Sequence, residues 1–101
     1  MRPLSLLVPL FVVGCGSAEA DLDLLCSEYT QAMAKTGPYA DLPAQRLQMQ
    51  LAARLDEGLK NREIREAFAV MAHAPPEQAY TLWQNAAREA GVPDWSCPAM
   101  Q

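Results

Sequence analysis

The sequence has one histidine, His73, and aromatic side chains form only 7% of its 101 residues. A catalytic zinc site uses three protein ligands besides its water, and a serine triad needs a histidine base beside the serine. Ser17, Ser27 and Ser96 have no base available other than His73, which the helical pattern places on the solvent side. We therefore expect no metal, no cofactor and no catalytic residue, so the chain is predicted not to be an enzyme.

Basic residues are also scarce, because eight Lys and Arg stand against 12 Asp and Glu, which gives a formal net charge of −4. Proteins that bind nucleic acid neutralise its phosphates with clustered Lys and Arg, and anionic lipid headgroups attract the same residues. The excess of acidic residues therefore argues against binding to nucleic acid and against binding to anionic lipid headgroups through charge. Half of the residues are apolar and a fifth are charged, a composition typical of one small folded domain.

A long apolar run is missing too. The stretch from Leu4 to Val13 follows Arg2 and is too short to cross a bilayer as a helix. Its length suits the apolar core of a secretory signal peptide. Directly behind it stand the four residues Val12-Val13-Gly14-Cys15.

This four-residue motif resembles the lipobox of bacterial lipoproteins. The resemblance implies that residues 1–14 are a signal peptide and that Cys15 receives a lipid carrying fatty-acyl chains such as palmitate. Residues 15–20 are then the lipidated cysteine with a short tether, and residues 21–101 the folded domain. Because Gly16 follows the cysteine, where enteric lipoproteins retained at the inner membrane have Asp, the resemblance favours the outer membrane, facing the periplasm. An ordinary secretory signal cut after Ala18 or Ala20 is the alternative.

The mature part shows no alternating run of Val, Ile or Thr, so we predict no strands. Apolar residues at helical spacing predict four short amphipathic helices. The first covers residues 21–35 and ends at Gly37-Pro38; the second starts near Pro43 and is capped by Gly58. The third begins after Asn61, and the fourth covers residues 76–90. The expected fold is an all-α bundle, with Leu22, Leu25, Tyr29, Met33, Leu47, Leu51, Leu55, Ile64, Phe68, Met71, Leu82 and Trp83 among the residues of its apolar faces.

Two cysteines, Cys26 and Cys97, remain once Cys15 is lipidated. Disulfides persist in exported proteins, and a domain of this size often needs one for stability. We therefore predict a structural Cys26–Cys97 disulfide. A redox-active pair is the alternative, although catalytic pairs usually have a Cys-x-x-Cys spacing.

Two hypotheses on function follow. The first is a noncatalytic interaction or scaffold module that is anchored to the envelope by lipid and holds an unknown envelope protein. The second is a small-ligand or peptide binder, a sensor or an accessory subunit, with a cleft between helices. Trp95 either packs over the bundle end or serves as an exposed anchor for a partner. The candidate binding residues are aromatic: Tyr29, Tyr39, Tyr80, Trp83 and Trp95.

Overall fold

Four α-helices joined by short turns make up residues 17–101, the part of the chain that the computed structural model describes. They are α1 (Ala18–Ala34), α2 (Ala44–Gly58), α3 (Arg62–Met71) and α4 (Ala79–Glu89). Single 3₁₀ turns precede α2, precede α4 and close the chain, and there is no strand within residues 17–101. The all-α prediction is therefore confirmed.

Helix α1 begins earlier than the sequence pattern indicates. Ser17 is its N-cap, and the Ser17 hydroxyl accepts a hydrogen bond from the backbone N–H of Ala20 at 3.0 Å. The cap satisfies one of the amide groups that every helix leaves free at its start. Cys15 and the predicted signal peptide lie outside the described residues. Residues 18–20, which we assigned to a tether, are helical.

The end of α1 differs from the prediction in the residue that takes the left-handed conformation. Lys35 is the C-cap, with φ 56°, and its N–H donates to the carbonyl of Ala32. Gly37 is also left-handed, with φ 58°, but it opens the 3₁₀ turn Gly37–Tyr39. The helix therefore ends close to the predicted residue, and two consecutive turns follow it.

The corner between α2 and α3 corrects one prediction and confirms another. Gly58 is not the cap of α2, because it is the last helical residue and Leu59 is the C-cap, with φ −72°. Helix α2 passes close to α1 here, and a Cβ on Gly58 would lie 2.6 Å from Leu24 Cδ2. Glycine at this position allows close contact with Leu24 of α1 and does not form a left-handed turn. Asn61 caps α3 as predicted, since its side-chain oxygen accepts from the N–H of Ile64.

Helix α1 is central to the packing. It lies along α2, and it also contacts α3 and the 3₁₀ turn that precedes α2. The C-terminal 3₁₀ turn covers it, whereas α3 packs mainly on α4. Exposed Met33, at 69%, is an exception to the predicted core face. The core draws on all four helices and on the α2–α3 corner: Ala18, Leu22, Leu25, Leu55, Leu59, Ile64, Trp83 and Ala87.

Two buried carboxylates tie α1 to the rest of the bundle. The Oδ2 of Asp21 accepts from the backbone N–H groups of Lys60 and Asn61, at 2.8 and 2.6 Å, and so holds the α2–α3 corner. From the other side, the Nη1 of Arg65 donates to the carbonyls of Asp56 and Leu59, both at 2.8 Å. The corner is thus fixed by bonds on two sides.

The second carboxylate, Glu28, lies in the middle of α1. It accepts from the Tyr39 hydroxyl at 2.6 Å and from Arg54 Nε and Nη2 at 2.7 and 3.0 Å. The hydrogen bonds from Arg54 lower the pKa of Glu28. Burial and the bond to Glu28 raise the pKa of Tyr39. This cluster joins α1, α2 and the intervening 3₁₀ turn.

The predicted Cys26–Cys97 disulfide is present, with the two Cα atoms 5.6 Å apart. It joins α1 to the last residues of the chain, across a sequence separation of 71. No helix within residues 17–101 combines the length and the apolar character needed to cross a membrane.

Candidate binding groove

An apolar groove opens between α2 and α3, with α1 as its floor. Helix α1 runs away from the α2–α3 corner, α2 returns towards it and α3 leaves it again, so α2 and α3 diverge from the corner. The space between them measures about 430 Å³. Its length along α2, from Leu55 to Leu47, is about 12 Å at a rise of 1.5 Å per residue.

The wall of this groove is mainly apolar. Its polar residues are Tyr29 and Gln48, and no charged residue among residues 17–101 lines it. Burial raises the pKa of Tyr29 further above its usual value, and the neutral hydroxyl can donate a hydrogen bond at physiological pH. The lining residues are Tyr29, Ala32 and Met33 of α1; Leu47, Gln48, Leu51, Ala52 and Leu55 of α2; and Phe68, Met71 and Ala72 at the end of α3.

The two ends of the groove differ. Towards the corner it ends at buried Leu55. At the other end Met33 stands exposed beside Leu47 and Met71. Methionine is flexible and polarisable, so this end can adapt its shape to an apolar partner.

The groove lies far from the start of α1. Tyr29, the nearest groove residue of α1, follows Ser17 by about 18 Å along the helix axis, at 1.5 Å per residue. The start of α1 and the open end of the groove therefore lie at opposite ends of the helix.

The predicted aromatic residues do not form one site. Only Tyr29 lines the groove. Tyr39 is fully buried and bonded to Glu28, and Trp83 is 1% exposed within the core, so neither of them lines a cleft. Tyr80 and Trp95 contact each other, with ring centroids 6.0 Å apart, beside the C-terminal residues.

Trp95 is half-buried and packs against the edge of the core. The interpretation of Trp95 as a packing residue over the bundle end therefore agrees with its position. The Tyr80 hydroxyl accepts hydrogen bonds from the Cys97 N–H and from Gln101 Nε2.

A smaller depression of about 230 Å³ lies between α3 and α4. Its floor consists of alanines and exposed Val70, and three glutamates surround it, Glu63, Glu66 and Glu89. Glu66 forms an exposed ion pair with Arg62 at 3.4 Å, which contributes little to stability. Within residues 17–101 no three His, Cys, Asp or Glu side chains are placed to hold a metal ion, and His73 is exposed.

Sequence reasoning predicted the aliphatic lining of the groove as core. Leu47, Leu51 and Phe68 were assigned to the inner faces of their helices, and the structure shows each of them half-buried at the groove wall. The periodic pattern marks which side of a helix is apolar, but it does not say whether two such sides meet. One sequence feature could have predicted the groove. The short connection from Gly58 to Asn61 joins α2 and α3 at one end only.

Comparisons with known proteins give no relatives: no family model, no curated protein and no solved structure matches this chain.

Proposed function

We propose that this protein is a noncatalytic interaction module of the bacterial envelope, anchored by lipid on Cys15, which holds another envelope protein through its apolar groove. The groove is the observation on which the proposal rests. An open apolar surface of this kind, with no charged group in its wall, is typical of a binding surface and unlike a catalytic site.

Two features support an exported and anchored protein. One is the signal-like N-terminal segment that ends in the lipobox-like motif at Cys15. The other is the Cys26–Cys97 disulfide, since such bonds persist mainly outside the reducing cytosol. Gly16 agrees with a position at the outer membrane, facing the periplasm. The acidic net charge agrees with membrane contact through the lipid and not through charge.

The chemistry of the groove indicates what kind of protein segment it binds. The walls are helices whose backbone groups are already bonded within each helix, so they offer no free backbone groups with which an extended peptide could pair. A partner helix has its backbone bonds satisfied and presents apolar side chains at i, i+3, i+4 and i+7. The groove length of about 12 Å matches about two helical turns. We therefore infer an amphipathic helix as the bound segment.

The test is co-purification from detergent-solubilised envelopes with a groove variant and a matched control. Ala52 lines the groove and is exposed, so Ala52→Glu should place a charge in the groove without disturbing the core. Ala53, the next residue, is exposed but does not line the groove, and Ala53→Glu is the control. We expect the partner to be lost with Ala52→Glu and kept with Ala53→Glu. Equal recovery with both variants would show that the groove does not bind it.

The lipid anchor has a separate test in the mass of the mature protein. We expect a chain that starts at Cys15 and carries fatty-acyl chains, and Cys15→Ser should abolish the added mass. A mature protein that starts unmodified at Glu19 or Asp21 would disprove the anchor and would leave the groove proposal standing.

A small apolar ligand is the second candidate, because 430 Å³ is within the size range of small-molecule pockets. The Tyr29 hydroxyl and the Gln48 amide would then orient the ligand. Native mass spectrometry of the purified protein distinguishes the two. A bound small molecule that is lost in Ala52→Glu supports the ligand, and a partner protein lost in the same variant supports the interaction module.

A further inference from the structure

The last seven residues, 95–101, form a segment that we call the C-terminal strap. It contains no α-helix, and its backbone bonds within itself are those of the final 3₁₀ turn, from Met100 N–H to Cys97 O and from Gln101 N–H to Pro98 O. The strap lies over α1, against the start of α4. It covers apolar surface that belongs to the helices.

Few bonds hold the strap to the helices. Its hydrogen bonds to helical residues both end on one atom, the Tyr80 hydroxyl, which accepts from Cys97 N–H at 3.2 Å and from Gln101 Nε2 at 3.1 Å. Apolar contact comes from Trp95 and Met100, both half-buried at the edge of the core. The remaining attachment is the disulfide from Cys97 to Cys26.

The helices, in contrast, are joined without the strap. The Asp21 bonds to the α2–α3 corner and the Glu28 cluster lie within residues 21–61. The buried core cluster is made of residues from the helices and the α2–α3 corner only. Local opening of a segment needs only the loss of that segment's own contacts.

We propose that the disulfide acts as a redox latch: its reduction by a dithiol releases the C-terminal strap as a unit while the four helices stay folded, and so uncovers an apolar face of α1 and α4. Cys97 is fully buried and Cys26 is half-buried, so we expect attack at Cys26, the more exposed residue of the pair. A thiolate of the dithiol forms a mixed disulfide with Cys26 and displaces the Cys97 thiolate, which takes up a proton. The second thiol of the dithiol then displaces Cys26, so the dithiol is oxidised to a disulfide and both cysteines are reduced.

The first test follows thiol alkylation in the full chain after reduction with dithiothreitol, resolved by peptide mass spectrometry, together with far-UV circular dichroism. We expect Cys97 to react within about tenfold of the rate for an unstructured peptide, as it does when its segment is open, while the helical signal persists. Slow alkylation of Cys97 with intact helices would show that the strap stays closed. Loss of the helical signal on reduction would show that the strap does not open as a unit. Either result overturns the proposal.

The second test uses Tyr80→Phe, which removes both hydrogen bonds to the strap and keeps the aromatic ring. Because Cys97 is buried, its departure as the leaving thiolate depends on loosening of the strap. We expect dithiothreitol to reduce the disulfide faster in the variant, by about fivefold or more, a ratio that corresponds to the loss of about 1 kcal/mol. Tyr29→Phe, whose hydroxyl is in the groove, is the matched control. Equal reduction rates in wild type and Tyr80→Phe would disprove the role of Tyr80.

Discussion

Glu28 is a carboxylate in the apolar stripe of α1, between Leu25 and Ala32 at helical spacing. A charge there is stable only because Arg54 and Tyr39 saturate it with three hydrogen bonds. Removing one partner leaves a buried charge that is only partly bonded, and this costs more than the bond itself contributes.

Arg54→Leu should therefore lower the midpoint of urea unfolding at pH 7, because buried Glu28 loses two of its three hydrogen bonds. The hydrogen bonds from Arg54 keep the pKa of Glu28 lower in the folded than in the unfolded protein. That stabilisation is complete above the unfolded pKa of about 4.3 and is lost as the pH falls through the lower folded value. Urea unfolding from pH 7 to pH 3 should show this loss in wild type and a smaller one in Arg54→Leu.

Arg46→Leu, an exposed arginine on the same helix, is the control and should change stability by less than about 0.5 kcal/mol. If Arg54→Leu matched this control at pH 7, the cluster would have no stabilising role.

Among the elements, the corner between α2 and α3 determines the shape of the groove. Asp21 accepts from two backbone N–H groups of that corner and so fixes the end of α2 and the start of α3 on α1. Asp21→Ala leaves both groups without their partner. We expect a loss of about 1–3 kcal/mol in urea unfolding, and Asp23→Ala, an exposed acid in the same turn of α1, should lose much less. Equal losses in the two variants would show that the charge near the helix start matters and the corner bonds do not.

The helices were predictable because their apolar residues recur at helical spacing and because Asn61 and the prolines mark several of their ends. The corner shows the limit of that reasoning. Gly58 has the typical position of a helix cap, but it is the last helical residue of α2 and lies against Leu24 of α1. Likewise Lys35, not Gly37, takes the left-handed cap of α1. Such choices depend on tertiary neighbours, which a local pattern does not contain.

The same limit applies to the hydrogen-bond partners of the buried acids. Asp21 and Glu28 fall at buried positions of the α1 stripe, a pattern that indicates partners elsewhere in the chain. It does not identify them, because Arg54 and the corner amides are more than 25 residues away in sequence. Cys26 and Cys97 were predictable as a pair, because they are the two cysteines that remain once Cys15 is assigned to lipid and because disulfides persist in exported proteins.

For the whole molecule, the disulfide closes a loop across a sequence separation of 71. In the chain-entropy model such a loop stabilises by about 4 kcal/mol, mainly by restricting the unfolded chain. The double substitution Cys26→Ala and Cys97→Ala should lower the free energy of unfolding by up to about this amount and leave the protein helical. Wild type in excess dithiothreitol should show a similar loss in urea unfolding. An unchanged unfolding midpoint would mean that the bond contributes nothing to stability.

The Arg65 bonds at the α2–α3 corner have a further consequence for recognition. Because both helices are fixed where they meet, the cleft between them exists before anything enters it. A partner helix then loses conformational entropy when it binds, but α2 and α3 lose little, because they are already held in place. Affinity at such a preorganised surface is set by the fit of a few apolar side chains, and swapping one of them for a larger or smaller one is the most direct way to change the choice of partner.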